Sequence, residues 1–103
     1  MQKKVKDFND AKTCHKTPMP IYARVMDIQS EMGELAKEVL KNSKYGTKDF
    51  VLSDDFKMEF GDVLYSLLSL ANETGISAEE SLQMALDKYR KRMEEKGDFG
   101  SGR

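Results

Sequence analysis

Residues 25–41, which read VMDIQSEMGELAKEVLK, determine the fold that the sequence predicts. Apolar residues in this stretch alternate at spacings of three and four, which is typical of a helix that packs along one stripe in a bundle. These residues are Val25, Ile28, Met32, Leu35 and Val39. We therefore predict an amphipathic helix from about Pro20, a residue that the first turn of a helix tolerates, to Lys41 and Asn42.

Similar periodicity predicts further helices on both sides of this one, and no convincing strand. A short helix is expected over residues 5–15, before a Thr-Pro-Met-Pro segment interrupts helix formation. A long helix is expected over residues 54–73, with Ser53 as its N-cap and Gly75 as its terminating glycine. The capping box Ser77-Ala-Glu-Glu80 opens a fourth helix that continues to about Lys96. The predicted fold is an all-α antiparallel bundle of three long helices and one short N-terminal helix.

Length and composition restrict the classes of protein to consider. The chain has 103 residues, so we expect one helical domain over residues 1–96 and a flexible tail over residues 97–103. The net charge is −1, which gives no electrostatic reason to expect a nucleic acid partner. No apolar run approaches the length of a membrane span, and Cys14 is the single cysteine. We expect a cytoplasmic protein without a membrane partner.

Two acidic pairs are the strongest functional signal. Glu31 and Glu34 belong to one predicted helix, and Glu59 and Asp62 belong to the next. Residues three apart are neighbours on a helix face, so each pair places like charges side by side and weakens its helix by about 0.2–0.5 kcal/mol. An antiparallel hairpin would bring the pairs face to face, where a hard cation such as Mg²⁺ could neutralise them. The alternative is a solvated acidic surface, and the spacing alone does not decide between the two.

Three segments of the chain resemble a known family. Residues 30–38 (SEMGELAKE), 59–65 (EFGDVLY) and 70–77 (LANETGIS) are similar to MazG-like nucleotide pyrophosphohydrolases, members of the all-α NTP pyrophosphatase superfamily. The resemblance covers about residues 21–92. It implies Mg²⁺, with Mn²⁺ as a substitute, and hydrolysis of a nucleoside triphosphate to the monophosphate and pyrophosphate. The positions that it assigns to the metal are Glu31, Glu34, Glu59 and Asp62.

The resemblance is less complete for the other site residues. Many family members carry a glutamate directly before the first acidic motif, proposed to activate water, but this chain has Ser30 there. We expect Glu38, one turn after the motif on the same flank, to replace it as the catalytic base in preference to Asp27. Family members often place phosphate-binding basic residues on the fourth helix, and a polar residue near the nucleotide. The matching positions are Lys88, Arg92 and Asn72, for which ordinary salt bridges and a helix-end role are the alternatives.

Two other functions are compatible with the same sequence features. Phosphoribosyl-ATP pyrophosphohydrolase has the same fold, and a non-catalytic helical adaptor would carry its acids on a solvated face. The preferred base and sugar are not determined by the sequence.

Residues such as Ile21, Tyr22, Leu64 and Leu68 widen the apolar stripes beyond what so small a monomer can cover. We therefore expect the bundle to be completed by dimerisation, as a homodimer or a dimer of dimers.

Overall fold

The computed structural model describes residues 1–12 and 19–96, and all of the regular structure in them is helical. The helices are α1 (Gln2–Lys12), α2 (Ile21–Asn42), α3 (Asp54–Thr74) and α4 (Ala78–Lys96). The prediction of an all-α chain with three long helices and one short one is confirmed. Helix α1 begins before the predicted residue 5, whereas its predicted end, Cys14 and the tail over residues 97–103 lie outside the described residues.

The predicted boundary signals of α3 and α4 are present in the structure. The Ser53 hydroxyl accepts a hydrogen bond from the Phe56 amide at 3.1 Å, and the Ser77 hydroxyl accepts one from the Glu80 amide at 3.1 Å. Gly75 follows α3 with a φ of 78°, in the left-handed region that glycine adopts without a steric cost. These local interactions satisfy helix-end donors and acceptors that would otherwise lack partners.

Polar residues join α2 to α3. Arg24 is buried, and its Nη2 donates to a carboxylate oxygen of Glu73 at 2.9 Å. One turn further along α2, Asp27 Oδ2 accepts a hydrogen bond from Ser66 Oγ at 3.0 Å. At the other end of the pair, Asn42 Nδ2 donates to Ser53 Oγ at 2.7 Å. The beginning of α2 therefore contacts the end of α3, and the end of α2 contacts the beginning of α3.

Only part of the apolar stripe of α2 is covered within the chain, contrary to the sequence-based expectation of a packed seam: Ile28 and Leu35 are partly buried, and the other three residues are exposed. Val25, Met32 and Val39 are 42%, 49% and 40% exposed within the single chain. The reason is that polar residues of α2, such as Arg24 and Asp27, also recur at spacings of three and four and find partners on α3. Polar residues with the same period therefore share the covered side of α2 with Ile28 and Leu35.

Helix α1 packs on α3 through side-chain hydrogen bonds. Asn9 donates to Ser69 Oγ at 3.0 Å and accepts from the Tyr65 hydroxyl. The Phe8 and Tyr65 rings meet edge to face, with 6.1 Å between their centroids. Ser69 is completely buried, so its bond with Asn9 satisfies a group that would be costly to leave without a partner. Tyr65 is therefore held by α1.

The same helix also holds the turn between α3 and α4. The Gln2 side chain donates to the Ile76 carbonyl and accepts from the Ala78 amide, both at 2.8 Å. Its backbone carbonyl accepts from Asn72 Nδ2 at 3.2 Å. These three bonds fix the point from which α4 begins.

Helix α4 contributes little to the core. None of its residues is buried, and its apolar residues Leu82, Leu86 and Met93 are exposed. The radius of gyration is 17.0 Å, against about 13 Å for a compact domain of about 100 residues. The single chain therefore leaves apolar surface open on several helices. No helix in the described ranges combines the length and the apolar composition needed to cross a membrane.

Gly33 and Gly61 are not required by close packing within the chain. A Cβ atom built on either glycine would have no non-local heavy atom within 4 Å. Glycine in the middle of a helix costs stability and is often used where backbones or a ligand approach closely. The described part of the chain contains no such approach between its own helices.

Candidate functional site

The α2–α3 contact brings the two acidic pairs opposite each other. Asp27 and Ser66 are joined at 3.0 Å. Glu31 lies one turn after Asp27 on α2, and Asp62 lies one turn before Ser66 on α3. The acids therefore follow the polar contact along the same two helix faces. Glu31, Glu59 and Asp62 are all partly buried, as a position between two helices requires.

The pKa values report how closely these acids interact. The pKa of Glu31 is raised by burial, and then by the charges of Asp62, Asp27 and Glu34. The pKa of Glu59 is raised by burial, by a hydrogen bond with Asp62, and by the charges of Asp62, Glu34 and Glu31. Like charges disfavour one another's ionised forms, so the four carboxylates behave as one electrostatic cluster.

The cluster is nevertheless not a closed metal cage in the free chain. Within residues 1–12 and 19–96, no group of three or more acidic, histidine or cysteine side chains is arranged to hold a metal ion. Glu34 is turned toward Lys37, with 3.6 Å between a carboxylate oxygen and Nζ. The structure thus brings together the acids that the sequence selected, without arranging them around a central point.

Glu38 occupies the end of the acidic stripe on α2. Its side chain is only 15% exposed, and Oε2 lies 3.4 Å from Lys41 Nζ. Its Oε1 is buried and has no hydrogen-bond partner among the described residues. Buried polar atoms are normally satisfied, so each exception calls for an explanation, and a functional role is one. Glu38 therefore keeps a free acceptor atom beside the cluster.

Asp27, the competing candidate for the same role, is already engaged. One carboxylate oxygen accepts from Ser66 Oγ at 3.0 Å and lies 3.7 Å from a guanidinium nitrogen of Arg24. These partners hold the carboxylate at the α2–α3 contact. Asp27 therefore acts first as a connector between the helices.

The remaining predicted site residues lie away from the acids or on α4. Asn72 is about 15 Å along α3 from Asp62, and its amide is used to bind the Gln2 carbonyl. Lys88 places its Nζ 5.1 Å from the centre of the Tyr89 ring, and Arg92 is partly buried on the same helix. The structure does not bring Asn72 to the acidic cluster.

Sequence reasoning missed the residues that align the site. Buried Arg24 forms an ion pair with Glu73, whose side chain is 25% exposed, at one end of the α2–α3 contact, and Ser66 binds Asp27 in the middle. A signal was present: Asp62, Ser66, Ser69 and Glu73 recur at spacings of four, three and four. This is the same period as the apolar stripe, so polar residues at core spacing could have identified the contact face.

Comparison with known proteins places the chain in a family. Residues 23–96 match the MazG nucleotide pyrophosphohydrolase domain. The match covers α2, α3, α4 and both acidic pairs, and the chain belongs to this family. Helix α1 lies outside the matched residues.

One relative is similar to the chain over most of its length and adds no activity to this assignment. The uncharacterized protein YpjD of Bacillus subtilis (strain 168) is 39% identical to the chain over 79 residues, which cover 74% of this chain and 67% of that protein. Among solved structures, none matches the chain.

Proposed function

We propose that the chain is a Mg²⁺-dependent nucleoside triphosphate pyrophosphohydrolase, which cleaves the bond between the α and β phosphates of (d)NTPs. The observation that carries the proposal is the pair of acidic motifs on α2 and α3, whose carboxylates perturb one another across the helix contact. Membership of the MazG nucleotide pyrophosphohydrolase family supports the reaction class. The products would be the nucleoside monophosphate and pyrophosphate.

The donor set suits a hard divalent cation. Glu31, Glu34, Glu59 and Asp62 offer only carboxylate oxygens, the ligands that Mg²⁺ and Mn²⁺ accept together with substrate phosphate. The bound cation would neutralise phosphate charge and lower the pKa of a coordinated water. The side chains are not gathered into a cage in the free chain, so the proposal requires them to change rotamer on binding.

Stability should depend on pH and on Mg²⁺ in a linked way. The folded-state pKa values of Glu31 and Glu59 are raised, so their contribution to stability is present at low pH and lost as pH rises through those values. In chelator, the contribution of these two groups to the unfolding temperature should therefore fall between mildly acidic and neutral pH. Saturating Mg²⁺ should reverse this, by about 2.7 kcal/mol at a hundredfold excess over its Kd. An unfolding temperature at pH 7 that is the same in chelator and in Mg²⁺ would contradict the proposed site.

We propose Glu38 as the residue that accepts the proton from the attacking water. It lies one turn after Glu34 with a free, buried Oε1, whereas Asp27 is bound to Ser66. Glu38→Gln should lower kcat by about 10²–10⁴-fold while leaving Mg²⁺ affinity within a few-fold, because a general base contributes about that much. Steady-state kinetics and calorimetric Mg²⁺ titration measure the two effects. Asp27→Asn, the comparison variant, should change kcat far less.

The outcomes distinguish three roles for Glu38. Normal turnover in both variants would mean that the reaction needs no side-chain base. Loss of Mg²⁺ binding in Glu38→Gln would make Glu38 a metal ligand, and the role proposed for it would be wrong.

We propose that Lys88, Arg92 and Asn72 contact the substrate. The argument for the two α4 residues differs from the argument for Asn72. Lys88 and Arg92 are four residues apart on α4 and share a helix face, which suits two contacts with one phosphate chain. Asn72 would first have to leave the Gln2 carbonyl, to which it now donates at 3.2 Å.

Two alternative functions are separated by one assay. Phosphoribosyl-ATP pyrophosphohydrolase would use the same cluster on a different nucleotide, and a helical adaptor would use no nucleotide at all. Canonical and damaged NTPs and dNTPs, together with phosphoribosyl-ATP, should be assayed with Mg²⁺ for pyrophosphate release. Turnover of phosphoribosyl-ATP alone would favour the first alternative. Absence of turnover on the whole panel would favour the adaptor.

We propose that α2 and α3 form an antiparallel pair completed by a second copy of the chain. In an antiparallel pair, residues that are rotated away from the contact face in the same sense on both helices point to the same side of the pair. On α2, the stripe that includes Met32 and Val39 is rotated by about 100° from the polar residues Arg24 and Asp27. On α3, Phe60 and Leu67 are rotated by about 130° in the same sense from the polar contact residues. Helix α1 binds the other side of α3, through Tyr65. These apolar residues of α2 and α3 therefore lie on the side of the pair away from α1, where a partner can cover them.

Light scattering tests this assembly. We expect a mass of about two or four chains of 11.8 kDa at micromolar concentration, because the exposed stripes exceed the apolar patch that a typical monomer leaves in water. Met32→Lys in this surface should shift the protein toward the monomer, whereas Met84→Lys, an equally radical change on exposed α4 surface, serves as the comparison. A wild-type mass of one chain would refute the proposal.

A further inference from the structure

Lys41 pairs with a carboxylate that is more buried than the partners of the other ion-paired lysines of α2 and α3. Its Nζ lies 3.4 Å from Glu38 Oε2 on α2 and 3.9 Å from Asp55 Oδ2 at the start of α3. The Glu38 side chain is 15% exposed, while Lys41 itself is 63% exposed. Lys41 therefore bridges two helices and covers one oxygen of a largely buried carboxylate with a solvent-accessible cation.

The other lysines of α2 and α3 that form ion pairs lack this combination. Lys57 pairs with Asp54 at 3.6 Å and is 62% exposed, but its partner is almost completely exposed. Lys37 pairs at 3.6 Å with Glu34, a half-exposed member of the acidic cluster. Of these three, only Lys41 contacts Glu38, the residue to which we assign the proton transfer.

The contacts that hold Lys41 are weak enough to exchange. Both distances exceed those of a well-formed charge-assisted hydrogen bond, which is about 2.7–2.9 Å. Lys41 and Asp55 are both exposed, and ion pairs between exposed groups contribute little to stability. A lysine ammonium has three donors on a flexible stem, so it can leave such a pair for a better acceptor at small cost. A phosphate chain offers several charged oxygens to it.

We infer that Lys41 exchanges partners when substrate binds: it leaves Glu38 and Asp55 and binds the phosphates that depart as pyrophosphate. The inference rests on the proposed pyrophosphohydrolase function and adds a substrate-binding residue to it. Lys41 lies seven residues, or about 10 Å of helix, beyond Glu34, so it is placed beyond the proposed cation-binding acids. When Lys41 leaves, both oxygens of Glu38 become free to accept a hydrogen bond from water. The Lys41 side chain thereby couples the binding of phosphate to the freeing of the Glu38 carboxylate, the proposed proton acceptor.

Three variants test the exchange by steady-state kinetics on the best nucleotide of the panel. Lys41→Met should raise KM by about tenfold to a hundredfold, the range expected when a hydrogen bond between charged groups is lost. Lys41→Arg keeps the charge and should restore most of the affinity. Lys57→Met removes a lysine of equal exposure and equal pairing geometry, and should behave as wild type. Since all these side chains are exposed, circular dichroism should show unchanged helix content.

A second readout does not depend on turnover. Calorimetric titration with inorganic pyrophosphate in Mg²⁺ should give a Kd that is raised in Lys41→Met and unchanged in Lys57→Met. Asp55→Asn removes a carboxylate that competes with pyrophosphate for Lys41, and it should lower the Kd for pyrophosphate. If Lys41 served only as a structural bridge, this substitution would leave that Kd unchanged.

The outcomes separate this inference from the proposed function. If wild type hydrolyses nucleotides but Lys41→Met keeps its KM and its pyrophosphate Kd within twofold, the exchange is wrong and the function stands. If wild type hydrolyses none of the panel nucleotides, the proposed function fails, and the inference fails with it.

Discussion

Replacing Asp62 with Asn is expected to remove Mg²⁺-dependent nucleotide hydrolysis while leaving the helices intact. Asp62 contributes to the raised pKa values of both Glu31 on α2 and Glu59 on α3. An amide cannot supply the negative charge that the cation needs. Glu59→Gln should have the same effect. The measurements are pyrophosphate release with Mg²⁺ and far-ultraviolet circular dichroism.

A remote acid provides the control for this experiment. Asp7 lies on α1, where it forms an exposed ion pair with Lys3 at 2.9 Å. Asp7→Asn removes the same charge from the chain and should leave turnover near wild type. If Asp62→Asn or Glu59→Gln kept most of the activity, the assignment of the acidic cluster as the metal site would be wrong.

The second large effect concerns stability and the Arg24–Glu73 ion pair. Arg24 is buried and Nη2 lies 2.9 Å from the Glu73 carboxylate, which also accepts from Nε. Glu73→Ala leaves a buried guanidinium with Asp27 as a weaker partner at 3.7 Å. We expect a loss of about 3 kcal/mol in the free energy of unfolding, at the lower end of the range for breaking a buried pair. Urea unfolding at fixed protein concentration measures it.

An exposed pair of equal length makes the comparison specific to burial. Arg90 and Asp87 are also 2.9 Å apart, but both side chains are exposed on α4. Asp87→Ala should change the free energy of unfolding by less than about 1 kcal/mol. The double variant Arg24→Met with Glu73→Leu should recover much of the loss, because an apolar pair removes the uncompensated charge. Equal effects of Glu73→Ala and Asp87→Ala would contradict the role given to the buried pair.

The sequence predicted the helices because their signals are local. Ser53, Gly75 and Ser77 act within a few residues, and the structure places each at the helix end where the sequence put it. The four candidate metal ligands were selected by spacing on one helix face, which is also a local property. The structure shows that the pKa values of Glu31 and Glu59 are raised across the α2–α3 contact, while the role of the four acids as metal ligands stays a prediction.

The packing face of α2 could not be predicted in the same way. Apolar residues such as Val25 and Met32 and polar residues such as Arg24 and Asp27 have the same helical period, so periodicity allows either stripe to face α3. The choice depends on partners far along the chain, chiefly Glu73 and Ser66. For the same reason, no local pattern indicated that the Gln2 carbonyl would accept a hydrogen bond from the Asn72 side chain.

Product analysis on one nucleotide tests the central claim most directly. Wild-type protein should be incubated with its best nucleoside triphosphate and Mg²⁺, and the products separated by ion exchange, with Asp62→Asn treated in parallel. The account predicts monophosphate and pyrophosphate in equal amounts from wild type, and neither from the variant. Diphosphate with orthophosphate, or the same products from Asp62→Asn at the wild-type rate, would contradict it.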